Sequence, residues 1–292
     1  MTQPLTAGWP ETPEALPSPV VDNHCHLDHR AYSKGVEGGL LIPVDEALDR
    51  AAAVNVTRIV QVGCDLEGSQ WAVDTAAAYE SVVAAVALHP NEAPVLAAAG
   101  ELDAALAEID RLAQSGDHVR AIGETGLDYF RTGVDGREAQ HVSFREHIRI
   151  AKRHDKTLVI HDRDAHDDVI AVLDDEGVPD RVVMHCFSGD ADFARACLDR
   201  GAYLSFAGTV TFKNAENLRA ALRVTPADRI LVETDAPFLT PTPHRGQPNA
   251  SFLVPLTVRF MAGIAGKTAE ELCRDIDANT DRAFGGPWAQ RT

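Results

Sequence analysis

The 292-residue sequence lacks the features of a membrane protein, a secreted protein or a disulfide-stabilised scaffold. Its 5 cysteines are odd in number and form no C-x-x-C pair, a pattern typical of reduced thiols in a cytosolic protein. No apolar run approaches the roughly 20 residues that a membrane-spanning helix needs. The N-terminus has neither the basic nor the apolar segment of a secretory signal. We therefore expect a soluble, cytoplasmic protein.

Positive charge is also scarce, because 27 Lys and Arg residues stand against 44 Asp and Glu residues, a formal net charge of −17. Proteins that wrap duplex DNA use Lys and Arg to neutralise phosphates, so this composition argues against a protein that binds the duplex groove. It does not exclude an enzyme that acts on a phosphodiester end, because bound metal ions would supply positive charge there.

Short β-branched runs alternate with longer amphipathic segments rich in Ala and Leu, which predicts repeated βα units. The eight runs are VVDNHCHL, RIVQVGCD, VVAAVALHP, VRAIGETGLD, TLVIHDRD, RVVMHCFSG, YLSFAGTVTF and RILVETDAPFL. No G-x-G-x-x-G follows the first run, which argues against a doubly wound nucleotide-binding sheet. We predict a single-domain α/β fold, a (β/α)₈ TIM barrel over residues 20–292, preceded by a flexible N-terminal extension over residues 1–19.

Ionisable residues stand where the predicted strands end, which is where barrel enzymes place their active sites. His24 and His26 end the first run, and the strand period of two puts both rings on the same face. The residues that end later runs are His89, Glu124, Asp128, His161, His185, Glu233 and Asp235. Burying each of them unpaired would cost several kcal/mol. We therefore predict that they surround divalent metal ions.

Nitrogen and oxygen donors of this kind suit Zn²⁺, Mn²⁺ or a related ion such as Mg²⁺. The ligands are too many for one tetrahedral site, and they suit two ions. Glu124, on the fourth strand, is placed between the two halves of the set and can bridge them. Glu233 alternates away from Asp235, and it either supports a ligand or forms a salt bridge.

The remaining histidines and two cysteines are interpreted as structural. The helix predicted after the fourth strand carries three histidines that a solvated face explains: His141, His147 and His154. Three others lie before a strand, in a loop or early in a helix: His118, His29 and His166. Cys25 and Cys186 stand beside predicted ligands, but alternation points them to the opposite face, so we predict that they pack in the interior.

Seven segments in order carry a family resemblance: DNHCHLD, ALHPNE, GETGLDYF, VIHDRDAHDDV, MHCFSG, FAGTVTFKNAENLR and LVETDAPFLTPTPHRGQPN. The series resembles the TatD family of metal-dependent deoxyribonucleases from Val21 to about Phe284. The resemblance implies a TIM barrel of the metal-dependent hydrolase superfamily with one or two metal ions.

Carried over position by position, the resemblance implies that His24, His26 and Asp235 bind one ion. It implies that Glu124 bridges or ligates, while His161 and His185 bind the second ion. His89, in HPNE, and Arg245, in PHRGQPN, match further motifs and are interpreted as substrate contacts. This sequence departs from the family pattern at none of the six ligand positions.

These residues predict hydrolysis of phosphodiester bonds in DNA by a metal-activated water, with Asp235 as proton acceptor and Glu124 able to share that task. We expect a 3′–5′ exodeoxyribonuclease that prefers single strands or frayed ends, because the chain lacks a basic stripe. Two alternatives stay open at this point. One is a metal-dependent hydrolase of an ester or amide, for example an aminoacyl-tRNA deacylase, and the other is a non-catalytic metal-binding barrel.

Overall fold

The computed structural model describes residues 8–31 and 39–292 of the chain. Eight strands form one parallel sheet in which each strand pairs with its neighbour in sequence. Their bounds are β1 Val20–Cys25, β2 Val56–Val62, β3 Val82–Val86, β4 Val119–Asp128, β5 Thr157–Arg163, β6 Val182–Met184, β7 Tyr203–Phe206 and β8 Ile230–Val232. Strands of this kind are buried on both faces, which explains their nearly continuous Val, Ile and Ala content.

The two edges of the sheet meet, so the sheet curls into a barrel. Cys25 forms a parallel bridge with Ala236, and the Asp235 backbone N–H donates to the His24 carbonyl at 2.9 Å. The buried carboxylate of Asp22 on β1 accepts hydrogen bonds from the Thr234 backbone N–H at 2.8 Å and the Thr234 hydroxyl at 2.6 Å. Closure therefore uses residues beside the predicted ligands of β1 and the loop after β8.

Ten helices surround the barrel in the described part of the chain. Their bounds are α1 Val44–Ala52, α2 Leu66–Ala78, α3 Ala93–Ala99, α4 Leu102–Leu112, α5 Val134–Arg153, α6 His166–Glu176, α7 Ala191–Leu198, α8 Glu216–Val224, α9 Val254–Ala265 and α10 Ala269–Ala283. The predicted TIM barrel is confirmed, with a second helix added after β3 and another after β8.

The barrel interior is filled by short apolar side chains that alternate along the strands, among them Val60, Val62 and Val83. Phe284 and Trp288, which follow α10, pack against these residues and close one end of the barrel. The carboxyl ends of the strands form the opposite mouth, because parallel strands all point the same way.

Residues 8–19 differ from the flexible extension that the sequence predicted. Leu16 is buried, its backbone N–H donates to the Val54 carbonyl at 3.1 Å, and the Trp9 ring packs edge-on against Phe252. Apolar side chains placed between prolines explain this packing, because they gain burial while proline limits the entropy of the unfolded segment. Residues 1–7 lie outside the described residues.

Within residues 8–31 and 39–292, no helix has the length and hydropathy needed to span a membrane.

Candidate metal centre

Four ligand atoms meet at the end of β1. The Nε2 atoms of His24 and His26 lie 3.8 and 3.5 Å from the same Asp235 oxygen, Oδ1. Both Nε2 atoms also lie 3.7 Å from Glu124 Oε1. Ligands about 2.1 Å from a metal ion at tetrahedral angles are roughly 3.4 Å apart, so this spacing fits one ion.

A second group lies around the other oxygen of the same glutamate. Glu124 Oε2 is 3.1 Å from His161 Nδ1 and 3.0 Å from His185 Nε2. His89 Nε2 is further away, at 4.0 Å. Because one carboxylate oxygen faces each group, Glu124 lies where a bridging ligand between two ions would lie.

Polar atoms without partners show that the cluster is suited to a cation. Among the described residues, neither ring nitrogen of the fully buried His24 has a hydrogen-bond partner, nor does Nε2 of His161. A buried polar atom that is left unpaired costs about 1–3 kcal/mol. A divalent ion would satisfy the lone pair of His24 Nε2, so the residues present fit a metal.

Neighbouring groups fix the orientation of two of the rings. His26 Nδ1 lies 3.0 Å from the Val62 carbonyl, which leaves Nε2 free as a ligand atom. His185 Nδ1 lies 2.9 Å from Glu233 Oε1, and the same oxygen accepts the Cys186 backbone N–H at 2.9 Å. A carboxylate behind a histidine ligand fixes its tautomer and raises its basicity. The sequence left two roles open for Glu233, support of a ligand or a salt bridge. The structure shows Glu233 in contact with His185, a predicted ligand.

The electrostatics of the cluster favour positive charge. Burial alone would raise the pKa of Glu124, but the rings of His185 and His89 hold it well below its usual range. Burial also opposes ionisation of Asp235, yet contact with His26 and the charge of His185 lower the pKa of this carboxyl. Burial disfavours charge on His161, but Asp128 and Glu124 raise its pKa to about 8. The carboxylates therefore stay ionised and attract protons or cations.

The structure brings the six predicted ligands together, and it places His89, one of the two predicted substrate contacts, beside them with Nε2 4.0 Å from Glu124 Oε2. Nδ1 of His89 accepts the Asn91 backbone N–H at 3.1 Å, so the neutral ring carries its proton on Nε2. Arg245 is exposed on the loop after β8, and its guanidinium lies 4.1 Å above the Phe212 ring.

One residue of the cluster was missed from the sequence. Cys64 follows β2, and its Sγ lies 3.3 Å from Glu124 Oε1 and 3.8 Å from His26 Nδ1. The second and seventh runs are the two for which the sequence predicted no ligand at the strand end, and the cysteines were interpreted only as reduced thiols. The position of Cys64 directly after an apolar strand was the signal that could have identified it.

Two structural interpretations were wrong in detail. His147 is fully buried rather than solvated: its Nε2 accepts the Leu88 N–H at 3.1 Å, and its Nδ1 lies 2.7 Å from the Ser143 carbonyl. Cys186 is only partly buried and lines a cleft, whereas Cys25 packs in the core as predicted. The backbone of Cys186 turns at a φ of 41°, which ends the strand alternation on which its prediction relied.

An eight-stranded barrel with histidines and carboxylates grouped at its carboxyl mouth defines a metal-dependent hydrolase as the class of protein. Comparisons with known proteins agree with this class. The model of the family described as TatD related DNase matches residues 21–285. The chain belongs to this family.

Two relatives and one solved structure show how far the similarity extends. The "Uncharacterized metal-dependent hydrolase TatD" of Mycobacterium tuberculosis is 43% identical over 276 residues, which cover 93% of this chain and 100% of that protein. The "Uncharacterized metal-dependent hydrolase YcfH" of Escherichia coli K12 is 40% identical over 266 residues, covering 91% and 95%. The crystal structure of YJJV, a TatD homolog from Escherichia coli K12, aligns with a TM-score of 0.80 at 27% identity, covering 92% and 98%.

Proposed function

We propose that this hydrolase cleaves phosphodiester bonds of DNA, acting from the 3′ end of single strands or frayed ends. The observation that carries this proposal is the shared carboxylate of Glu124, whose two oxygens face two separate groups of ligand atoms. Pairs of ions a few ångströms apart suit the displacement of a leaving oxygen from phosphorus, because they stabilise both the attacking and the leaving oxygen.

Residues of this chain would hold two divalent ions, and we propose Mg²⁺, Mn²⁺ or Zn²⁺. His24, His26 and Asp235 would hold the first ion, and His161 and His185 the second, with Glu124 between them. When bound, the ions supply Lewis acidity that activates water and offsets charge on the phosphate.

The side chains of the cluster have separate tasks in this proposal. The Asp235 carboxylate, held ionised by His26, accepts the proton of the attacking water. Glu233 keeps the His185 ring in place. The Nε2–H of His89 can donate to an oxygen of the substrate phosphate, and Arg245 can pair with a neighbouring phosphate.

Charge at the mouth supports an anionic substrate despite the acidity of the whole chain. Several basic side chains at this mouth have no carboxylate within 4.0 Å among the described residues, namely Arg163 at the end of β5 and, in the loops after the strands, Arg131, Lys213 and Arg245. Most other basic side chains pair with carboxylates at the sides of the barrel. Unpaired cations beside the centre are available to phosphates.

The same centre can attack a carbon electrophile, so the test must include one. The decisive assay follows a 5′-labelled single-stranded DNA oligonucleotide over time with the metal-reconstituted protein, beside an aminoacyl-tRNA and a simple carboxylic ester. Asp235→Asn provides the control for contaminating nuclease. We expect a ladder that shortens from the 3′ end in the wild type and is absent in the variant.

The other outcomes each contradict the proposal. An intact oligonucleotide together with hydrolysed aminoacyl-tRNA or ester would assign the centre to acyl transfer. No turnover of any substrate by protein that retains its ions would favour a non-catalytic metal-binding barrel.

The proposal also places the protein in the cytoplasm, since its five cysteines are all unbridged.

A further inference from the structure

An exposed phenylalanine and a partly buried arginine form a pair at the mouth, outside the cluster of ligands. The guanidinium carbon of Arg163 is 3.8 Å from the centre of the Phe130 ring. Phe130 is 62% exposed, so the ring is not held there by burial in the core. In the described part of the chain, Arg163 also has no carboxylate partner within 4.0 Å.

The backbone ties this pair to the second group of ligands. Arg163 is the last residue of β5 and stands two residues after His161, so the strand period points both side chains to the same face. The Tyr129 N–H donates to the Arg163 carbonyl at 2.9 Å, which fixes the loop carrying Phe130 against β5.

The chemistry of the pair matches a nucleotide. A guanidinium that lies over a ring keeps its N–H donors in its own plane, where they can form a bidentate contact with a phosphate. An exposed phenyl ring offers a surface on which a nucleobase of any sequence can stack. One arginine and one ring therefore provide a contact for each part of a nucleotide.

Charge on the other side of the mouth disfavours a phosphate chain. A cleft of about 420 Å³ lies beside His29 and Cys64, and its wall carries three carboxylates, Asp28, Asp65 and Glu67. These carboxylates would repel phosphates, whereas the unpaired arginine on β5 would attract them. A strand that enters the centre is thus directed towards β4 and β5.

We propose that Phe130 and Arg163 form a nucleotide subsite next to the metal centre, in which Arg163 contacts the phosphate adjacent to the scissile bond and Phe130 stacks on a base. The inference rests on the proposed function, because it assumes that the centre acts on a nucleic acid strand. It assigns strand recognition to a pair of residues that are not ligands.

Two variants test the subsite: Phe130→Leu, which keeps the apolar bulk and removes the aromatic face, and Arg163→Gln. For a single-stranded oligonucleotide we expect KM to rise roughly 10-fold in each variant and kcat to change less than twofold. For methyl p-nitrophenyl phosphate, which has no neighbouring nucleotide, both constants should match the wild type. Arg229→Gln is the matched control, because Arg229 lies over Tyr203 at the opposite end of the strands.

A binding measurement separates failure of the subsite from failure of the proposed function. An oligonucleotide that contains 2-aminopurine is titrated with the Asp235→Asn protein, and stacking is read as fluorescence quenching that Phe130→Leu removes. Hydrolysis of the oligonucleotide with unchanged KM and unchanged quenching in the variants would overturn the subsite and leave the proposed function intact. Quenching without hydrolysis by the wild type would keep the subsite and overturn the nuclease. Equal losses on methyl p-nitrophenyl phosphate would also overturn the subsite.

Discussion

Glu124 is the residue on which the two halves of the centre depend. Its Oε1 lies 3.7 Å from Nε2 of His24 on β1 and from Nε2 of His26 just after β1, and its Oε2 lies about 3 Å from ligand atoms on β5 and in the loop after β6. The rings around it keep its pKa well below the usual range even though it is buried. Ionised carboxylates at such a depth require compensating positive charge, which divalent ions provide.

Asp235 is expected to matter for the chemical step more than for the fold. Replacing it by Asn keeps the shape and removes the proton acceptor, so kcat should fall by roughly 100-fold or more. Circular dichroism should stay unchanged. Asp65→Asn is the matched control, because Asp65 lies at the same mouth and is the N-cap of α2. Asn caps a helix equally well, so this substitution should leave the fold intact. A comparable loss of kcat in both variants would contradict the role of Asp235.

Glu233 is expected to act through His185. With Glu233→Gln the ring loses its charged partner at 2.9 Å, and metal affinity should fall roughly 10- to 100-fold. The measurement is a competitive titration of the metal-free protein with a chelating dye. Glu92→Gln, after β3, is the control, since its side chain makes no capping hydrogen bond. Unchanged affinity in Glu233→Gln would show that this contact does not tune the ligand.

At the scale of elements, α5 is fixed to the barrel by one buried histidine. His147 accepts the Leu88 N–H and has Thr125 Oγ1 3.0 Å away, so it joins the helix to β4 and to the end of β3. Burial lowers its pKa to about 4. Below pH 6.5 the unfolded chain binds a proton that the folded chain excludes, so stability falls as the pH decreases towards 4.

We therefore predict that His147→Gln reduces the acid sensitivity of folding. The wild type should lose about 2 kcal/mol more unfolding free energy than the variant between pH 7.5 and pH 5. Urea denaturation at both pH values measures this difference. His154→Gln, at the carboxyl end of the same helix, controls for the removal of a histidine. Parallel pH curves for wild type and His147→Gln would contradict the account.

Helix α10 is anchored by a buried arginine of β2. Arg58 is 1% exposed and pairs with Asp281 at 2.6 Å and with Asp277, and its guanidinium carbon lies 4.5 Å from the centre of the Trp288 ring. Arg58→Met leaves both carboxylates without their partner and should destabilise the fold by about 3 kcal/mol. Thermal unfolding should show a decrease of several degrees in Tm.

The exposed pair Arg274–Glu270 on the same helix provides the comparison. Arg274→Met removes an i,i+4 ion pair at the surface, where such pairs contribute about 0.5 kcal/mol or less. Equal shifts of Tm for Arg58→Met and Arg274→Met would show that the buried pair does not anchor α10.

The periodicity of apolar residues was sufficient to predict the barrel, because buried strands and amphipathic helices have different sequence patterns. It was also sufficient to place His24, His26 and Asp235 at the same mouth, since strand ends share one mouth. It was insufficient where the chain leaves regular structure. The positive φ of Cys186 and the packing of Trp9 depend on tertiary contacts that no local pattern encodes.

At the scale of the whole molecule, charge is distributed unevenly. In a chain of formal charge −17, Arg131, Arg163 and Arg245 lie at the mouth without a carboxylate partner among the described residues, and three carboxylates occupy the side of the mouth near β1 and β2. Composition alone predicted that no basic stripe would be found, but it could not predict which basic residues lack partners. Most of the other basic side chains form ion pairs along the sides of the barrel. The local charge at the mouth is therefore more positive than the net charge of the chain suggests.

The count of tightly bound ions per chain tests the central claim most directly. After reconstitution with Mn²⁺ or Zn²⁺ and desalting, elemental analysis should find two ions per wild-type chain. Glu124→Gln should retain at most one, because a neutral amide cannot bridge two cations as a carboxylate does. A single ion in the wild type, or two ions retained by Glu124→Gln, would contradict a centre built on a shared carboxylate.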